Sequence, residues 1–181
     1  MTILDIREGN TSKTHRPPLR VAILGTGIFA TNCHIPALLK HPKLFDCVAL
    51  WSRTEESVQK LLHGKNGDGG PLTLLPSSIQ GYSGEEGLEQ ILHERTDVEA
   101  IIMALPLDVQ PHYVTRALEA GKHVLSEKPI AATLSEAKKL CDWFYQEKRA
   151  TTSKLQWSVA ENFRYEPAIQ RVADAVKNEI G

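Results

Sequence analysis

Arg20-Val21-Ala22-Ile23-Leu24-Gly25-Thr26-Gly27-Ile28-Phe29-Ala30 is the stretch that decides the fold of this chain. After Arg20 its first residues show no polar alternation, the pattern of a strand buried on both faces. Gly25 ends that strand, and from Ile28 to Leu39 the pattern becomes helical, with Pro36 at a kink or in a first turn. A buried strand that runs through Gly-x-Gly-x-x-Ala into a helix is the context that makes a weak glycine motif a dinucleotide-binding fingerprint. Glycine at position 25 permits the tight turn, and glycine at position 27 lets the backbone approach a pyrophosphate. The third place, where helix packs on sheet, tolerates Ala30. Thr26, Ile28 and Phe29 complete the loop, and the helix start offers free N–H groups and a partial positive charge to phosphates. Outside that context the same glycines would mark a tight turn without a ligand.

Working outward, apolar strands alternate with helical patterns. Cys47 to Trp51 reads as a strand, followed by a helix over Thr54 to Leu62. A helix over Gly87 to Glu94 leads into a strand over Val98 to Ala104, and a helix over Val109 to Ala120 is stopped by Gly121. His123 to Ser126 is a further strand, and Leu134 to Arg149 a further helix with Ser135 as its expected cap. Gln156 to Ala160 and Glu166 to Asn178 close the series as strand and helix. The expected fold class is α/β, a doubly wound parallel Rossmann sheet with helices on both faces. In such sheets the ligand crevice lies at the carboxyl ends of the strands, so the residues just past each strand carry the function. The domain reading is a flexible leader over 1–19, a dinucleotide-binding domain over 20–165, and the start of a second α/β domain over 166–181. Gly64 to Pro71, rich in glycine, reads as a mobile surface excursion.

Bulk properties exclude several other classes. The 181 residues carry a net charge of −1, which gives no field for gripping nucleic acid. The three cysteines, Cys33, Cys47 and Cys141, have no metal or redox spacing and fit free thiols in a reducing, cytoplasmic compartment. No metal site is expected. The leader lacks the apolar core of a secretory signal. No apolar run approaches the roughly 20 residues needed to cross a bilayer.

The choice of dinucleotide turns on the end of the second strand. NAD-binding domains place an acidic residue about 20 residues after the glycines, to hold the ribose 2′-OH. Here Ser52, Arg53 and Thr54 occupy that place, and Glu55 and Glu56 fall on the following helix. A serine can donate to a 2′-phosphate, and an arginine can pair with it and stack on adenine. Alone, Arg53 would read as a solvated charge at a strand end. Beside the glycine loop it makes NADP the expected cofactor, with NAD second.

Two further strand ends carry the chemistry. One reads Ala104-Leu105-Pro106-Leu107 with His112 close behind, and the other Gly121-Lys122-His123-Val124-Leu125-Ser126-Glu127-Lys128-Pro129. The second resembles the signature of the glucose–fructose oxidoreductase, inositol dehydrogenase and rhizopine-catabolism family (Gfo/Idh/MocA). With the glycine loop and Glu161-Asn162-Phe163-Arg164-Tyr165, the resemblance runs from about Arg20 to Gly181, and it is similar in look to fungal NADP-dependent members. It implies that Lys128 is the catalytic lysine beside nicotinamide and substrate oxygen, and that Glu127 helps position it or the nicotinamide ribose. It implies that Pro129 holds the turn, a cis Lys128–Pro129 bond being one form of it. Ala104, Leu105, Pro106 and His112 would border the cofactor, and Arg164 would lie near the cofactor or the domain junction. Lys122, His123, Trp51 and Trp157 read as structural.

The chemistry of the residues agrees. Hydride transfer at a carbinol carbon needs a proton donor or acceptor within reach of the oxygen, and a partly buried lysine can serve. The expected function is an NADP-dependent oxidoreductase acting on a sugar, polyol, diol or small carbonyl substrate. The alternatives are a non-catalytic NADP-sensing module and an inactive fragment, and Lys128 speaks against a pure sensor. The family implies a second α/β domain that walls the substrate pocket, supplies an Asp/His pair and mediates a homo-oligomer. This chain is expected to lack nearly all of it, to expose apolar surface, and to bind NADP with little or no turnover alone.

Overall fold

The computed structural model describes residues 16–63, 75–150 and 154–180. Residues 1–15 of the expected leader and the whole of the Gly64–Pro71 excursion lie outside them. Six strands form one sheet: β1 Leu19–Leu24, β2 Phe45–Ser52, β3 Gln80–Ser83, β4 Ala100–Met103, β5 His123–Ser126 and β6 Trp157–Val159. Every pair is parallel, and the order across the sheet is β3-β2-β1-β4-β5-β6. Strand order therefore reverses between β1 and β4, the place where doubly wound sheets open a crevice.

The missing polar alternation in β1 and β4 has a direct cause. Ala22, Leu24, Ile101 and Met103 pack on one face of the sheet with Leu88, Ile91, Val114 and Leu118. Val21, Ile23 and Ile102 pack on the other with Ile35, Leu38 and Leu61. Successive side chains point to opposite faces, and both faces are covered by helices, so both must be apolar.

Sequence patterning misses β3. Gln80-Gly81-Tyr82-Ser83 has no apolar run, because it is an edge strand held by pairing to β2 from Ala49↔Gln80 to Ser52↔Ser83. Gly81 lets α2 pack closely there, since an added Cβ would lie 2.5 Å from Val58 Cγ1 and 2.6 Å from Leu62 Cδ1 and those side chains would have to shift.

The first helix, residues 28–40, contains a π-helical turn at Ala30–His34 before its regular segment α1 Ile35–Lys40. Pro36 sits in the first turn of α1, the second of its two expected places. α2 Glu55–Leu62 is capped by Thr54, whose hydroxyl accepts the Ser57 N–H at 3.4 Å. α3 Gly84–Glu89 begins three residues before the expected Gly87 and runs on as a π-helical turn Gln90–Glu94. α4 Gln110–Glu119 ends before Gly121, whose φ of +78° suits glycine.

α5 Leu134–Ala150 is capped by Thr133 and not by the expected Ser135. Thr133 Oγ1 accepts the Glu136 N–H at 3.2 Å, and Glu136 Oε2 accepts the Thr133 N–H at 3.2 Å. This reciprocal Thr-x-x-Glu box satisfies two free ends at once, which a lone serine inside the first turn cannot do. After β6 come a 3₁₀ turn Asn162–Tyr165 and α6 Pro167–Ala175, continued by a π-helical turn Val176–Ile180. This region carries the exposed apolar side chains Phe163, Tyr165, Ile169, Val172 and Val176. No described helix is long and apolar enough to cross a membrane.

Candidate active site

The crevice is built where β1 and β4 lie side by side, with Leu24 opposite Met103. Gly25 N–H donates to the Trp51 carbonyl at 2.8 Å, and Ala104 N–H donates to the Leu24 carbonyl at 2.8 Å. These bonds carry β1 and β4 one residue past their ends and fix the loop. Gly25 has φ +111°, and a Cβ there would overlap the Ala104 carbonyl. At Gly27 an added Cβ would meet no atom within 4 Å, so that backbone faces open space. Ala30 is fully buried against the sheet, which fits the third place of the fingerprint. Thr31 donates both its N–H and its hydroxyl to the Gly27 carbonyl at 3.0 Å, closing the loop onto the helix.

A cleft of about 830 Å³ opens in front of this loop. Gly25, Thr26, Gly27, Ile28 and Phe29 form one wall, Ala104, Leu105 and Pro106 a second, and Ser52 and Arg53 a third. The volume lies in the range of small-molecule and cofactor sites. The structure thus brings together three of the four strand ends singled out in the sequence, while Glu127 and Lys128, past the fourth, do not line this cleft. Lys60 and Ser57 of α2 also line the cleft, and sequence reading passed over both. Lys60 sits two turns past the strand end, where a basic residue looks like ordinary helix surface. Thr54 stays outside the lining and spends its hydroxyl on the α2 cap and on Ser57 Oγ at 2.7 Å.

The lysine turn follows β5, with a cis Lys128–Pro129 bond. Glu127 N–H donates to the Met103 carbonyl at 3.2 Å, which keeps the turn beside the end of β4. Gln110, fully buried at the start of α4, donates its Nε2 to the carbonyls of Glu127 at 3.0 Å and Pro129 at 3.1 Å. Glu127 Oε2 accepts the Lys128 N–H at 3.2 Å, and Glu127 Oε1 lies 2.7 Å from His34 Nε2. Lys128 Nζ stands 5.5 Å from the centroid of the Phe163 ring. Sequence reading missed His34, which is separated from Glu127 by 93 residues, and left Gln110 unassigned. A polar residue opening a helix just past a strand end was the available signal for Gln110.

His112 and Arg164 also stand apart from these walls. His112 is exposed on α4 and packs edge-on against Tyr113, with ring centroids 5.5 Å apart. Arg164 lies in the exposed 3₁₀ turn, where its carbonyl accepts the Gln170 amide at 3.3 Å. Neither lines the cleft. Lys122 is structural: its Nζ donates to the carbonyls of Arg95 and Val98 at 2.9 Å, and burial lowers its pKa. Trp51 and Trp157 are packed with their indole N–H groups bonded, to the Gly84 carbonyl at 2.7 Å and Ser126 Oγ at 2.9 Å. Among the described residues no three His, Cys, Asp or Glu side chains come together as a metal site.

Comparison with known proteins gives a consistent result. Residues 19–154 match the oxidoreductase family with an NAD-binding Rossmann fold, Gfo/Idh/MocA. The chain is 36% identical over 161 residues to the dehydrogenase FPY6 of Fusarium mangiferae, covering 89% of this chain and 43% of that protein. It is 31% identical over 165 residues to a dTDP-3,4-didehydro-2,6-dideoxy-α-D-glucose 3-reductase of Actinomadura kijaniata, covering 90% and 42%. Among solved structures it superposes on KijD10, a 3-ketoreductase from Actinomadura kijaniata in complex with TDP-benzene and NADP. That match has a TM-score of 0.68 and 26% identity, and covers 90% of this chain and 44% of that one. The chain thus spans less than half the length of these relatives.

Proposed function

The chain belongs to the Gfo/Idh/MocA oxidoreductase family, and from that premise we propose that its β1–β4 cleft binds NADP(H) for oxidoreduction of a sugar, polyol, diol or small carbonyl compound. The observation that carries the proposal is the composition of the cleft. An open backbone at Gly27 lies on one wall, an arginine stands at the strand end on another, and no carboxylate is among the lining residues.

When bound, the nicotinamide supplies the hydride chemistry. The chain's own residues do the rest. Gly25 to Phe29 receive the pyrophosphate on backbone N–H groups. Ser52 and Arg53 hold the 2′-phosphate, with Arg53 free of any hydrogen bond or ion pair among the described residues. Leu105 and Pro106 exclude water along the nucleotide. Lys128 donates or accepts the proton at the substrate oxygen, and Glu127 positions it through the Lys128 N–H. His112 and Arg164 lie outside the cleft walls, and on this reading they border the cofactor or the domain junction beyond those walls. The KijD10 complex with NADP supports the choice of cofactor by likeness. The three free thiols support a reducing, cytoplasmic setting.

Parallel titration with NADPH and NADH, followed by tryptophan fluorescence, tests the reading. NADPH is expected to bind more tightly. Arg53→Ala is expected to weaken NADPH by about 1.5–3 kcal/mol, the cost of a lost charge-assisted contact, and to leave NADH nearly unchanged. Equal affinity for the two dinucleotides, or none for either, overturns the assignment.

A further inference from the structure

Both oxygens of the Glu127 carboxylate are engaged, and by groups from different parts of the fold. Oε2 takes the Lys128 N–H of its own turn, while Oε1 meets His34 Nε2 on the helix that leaves the glycine loop. The pair is mostly shielded, with side chains 13% and 17% exposed. Taking an imidazole and a carboxylate out of water is unfavourable, and a pair so placed adds little net stability over an apolar one. Its value is therefore better sought in geometry.

The geometry is specific. Gly27 is tied to Thr31 through two hydrogen bonds at 3.0 Å, and His34 lies three residues further, at the close of the π-helical turn. A π-turn inserts an extra residue and rotates the side chains that follow, a device common at functional sites. A continuous path thus runs from Gly27 through Thr31 and the helix to His34, then to Glu127 Oε1, and from Glu127 Oε2 to the backbone of Lys128. Gln110 fixes the same turn from α4, but among the described residues it makes no hydrogen bond to the glycine loop.

We propose that His34 is a positioning residue that sets Lys128 against the nucleotide by tying the lysine turn to the phosphate-binding helix. This rests on the reading above that the cleft takes NADP(H) with Lys128 beside the nicotinamide. Pyrophosphate binding at Gly27 then steadies the helix, and His34 passes that placement to the lysine.

The test is pulse acetylation of the whole 181-residue chain with acetic anhydride, with and without saturating NADPH, read lysine by lysine by mass spectrometry. Lys139, exposed on α5, serves as the internal reference. In the unaltered chain NADPH slows labelling of Lys128 and leaves Lys139 unchanged. His34→Ala cuts that protection about tenfold, the scale of one lost charge-assisted hydrogen bond. His34→Gln, whose amide can still donate to Glu127, restores most of it. Thermal scans accompany each variant, and His34→Leu keeps more of the side-chain volume should the alanine variant fail to fold. Full protection in folded His34→Ala or His34→Leu chains overturns the role of His34 alone. Absence of Lys128 protection in the unaltered chain overturns the placement of the lysine, and the His34 role with it.

Discussion

Gly25 is built against Ala104: a Cβ added to the glycine would fall 2.2 Å from the Ala104 carbonyl oxygen and 2.8 Å from its carbonyl carbon. Backbone atoms cannot yield as a flexible side chain can, and φ of +111° is closed to alanine in any case. Gly25→Ala is therefore expected to destabilise the fold by about 2–5 kcal/mol, from strain and overlap together. Gly27→Ala meets no such obstacle, and it should leave stability unchanged or raise it by up to about 1 kcal/mol. If Gly27 faces the pyrophosphate, that variant still loses NADPH binding. Urea denaturation and dinucleotide titration of the two variants separate a structural glycine from a ligand-facing one. Equal losses of stability would contradict the assignment.

A carboxylate at the end of β2 should reverse the cofactor preference. Ser52→Asp places a negative charge in the cleft wall that also holds Arg53. It would repel a 2′-phosphate and accept hydrogen bonds from a free ribose. NADPH affinity is expected to fall about tenfold or more, and the ratio of NADPH to NADH affinity to invert, on the scale of one charge-assisted contact. Fluorescence titration with both dinucleotides measures it, and an unchanged ratio refutes the placement of Ser52.

Gln110 donates to two carbonyls from a fully buried position. Gln110→Leu fills the space and removes both donors, leaving the Glu127 and Pro129 carbonyls without those partners. The expected loss is about 1–3 kcal/mol, for two lost hydrogen bonds to part-buried carbonyls. Chemical denaturation gives the value. A loss within about 0.5 kcal/mol, as for an ordinary surface change, would show that the turn holds itself.

The opposite ends of the strands should respond to acid without touching the cleft. Arg95 donates to both oxygens of Asp97 at 2.7 and 2.8 Å, and Arg20 reaches the same carboxylate at 2.8 Å. The Arg95 hydrogen bonds, with the nearby positive charges, hold the Asp97 carboxyl at about 2, below its ordinary 3.8. Its stabilising contribution is therefore complete above the ordinary value and fades as pH falls from about 4 toward 2. Because the side chain is one-third exposed, solvent screening limits that contribution to about 1 kcal/mol or less. Asp97→Asn should be less stable than the unaltered chain at pH 7 and approach it as pH falls to about 2 and below, with NADPH affinity unchanged at neutral pH. Denaturation across that range provides the comparison.

How much was legible in the sequence follows from which forces leave a pattern in it. β1, β2 and β4 owe their place to burial on both faces, and burial writes itself as uninterrupted apolar residues. β3 owes its place to backbone pairing with β2 and close contact with α2, which demand only Gly81 and so leave almost no trace. The three walls of the cleft were legible because each follows a strand. His34 was not, since its partner lies 93 residues away and the pairing depends on the turn of a helix. The cap of α5 was written plainly as Thr133…Glu136, and the reading chose the nearer serine over the reciprocal pair.

The adjacency of β1 and β4 also has a meaning in time. A chain made from its amino end exposes the glycine loop early, yet Leu24 finds Met103 only after 79 more residues have been added. Until then β1 is an open edge, and the Gly25 turn lacks the Ala104 carbonyl against which it is built. A nascent chain therefore carries the fingerprint long before it carries a crevice. Nucleotide can be captured only once the middle of the sheet has closed. Such distant pairings are slow to form, so dinucleotide present during refolding should stabilise only species in which this central pair is already in place.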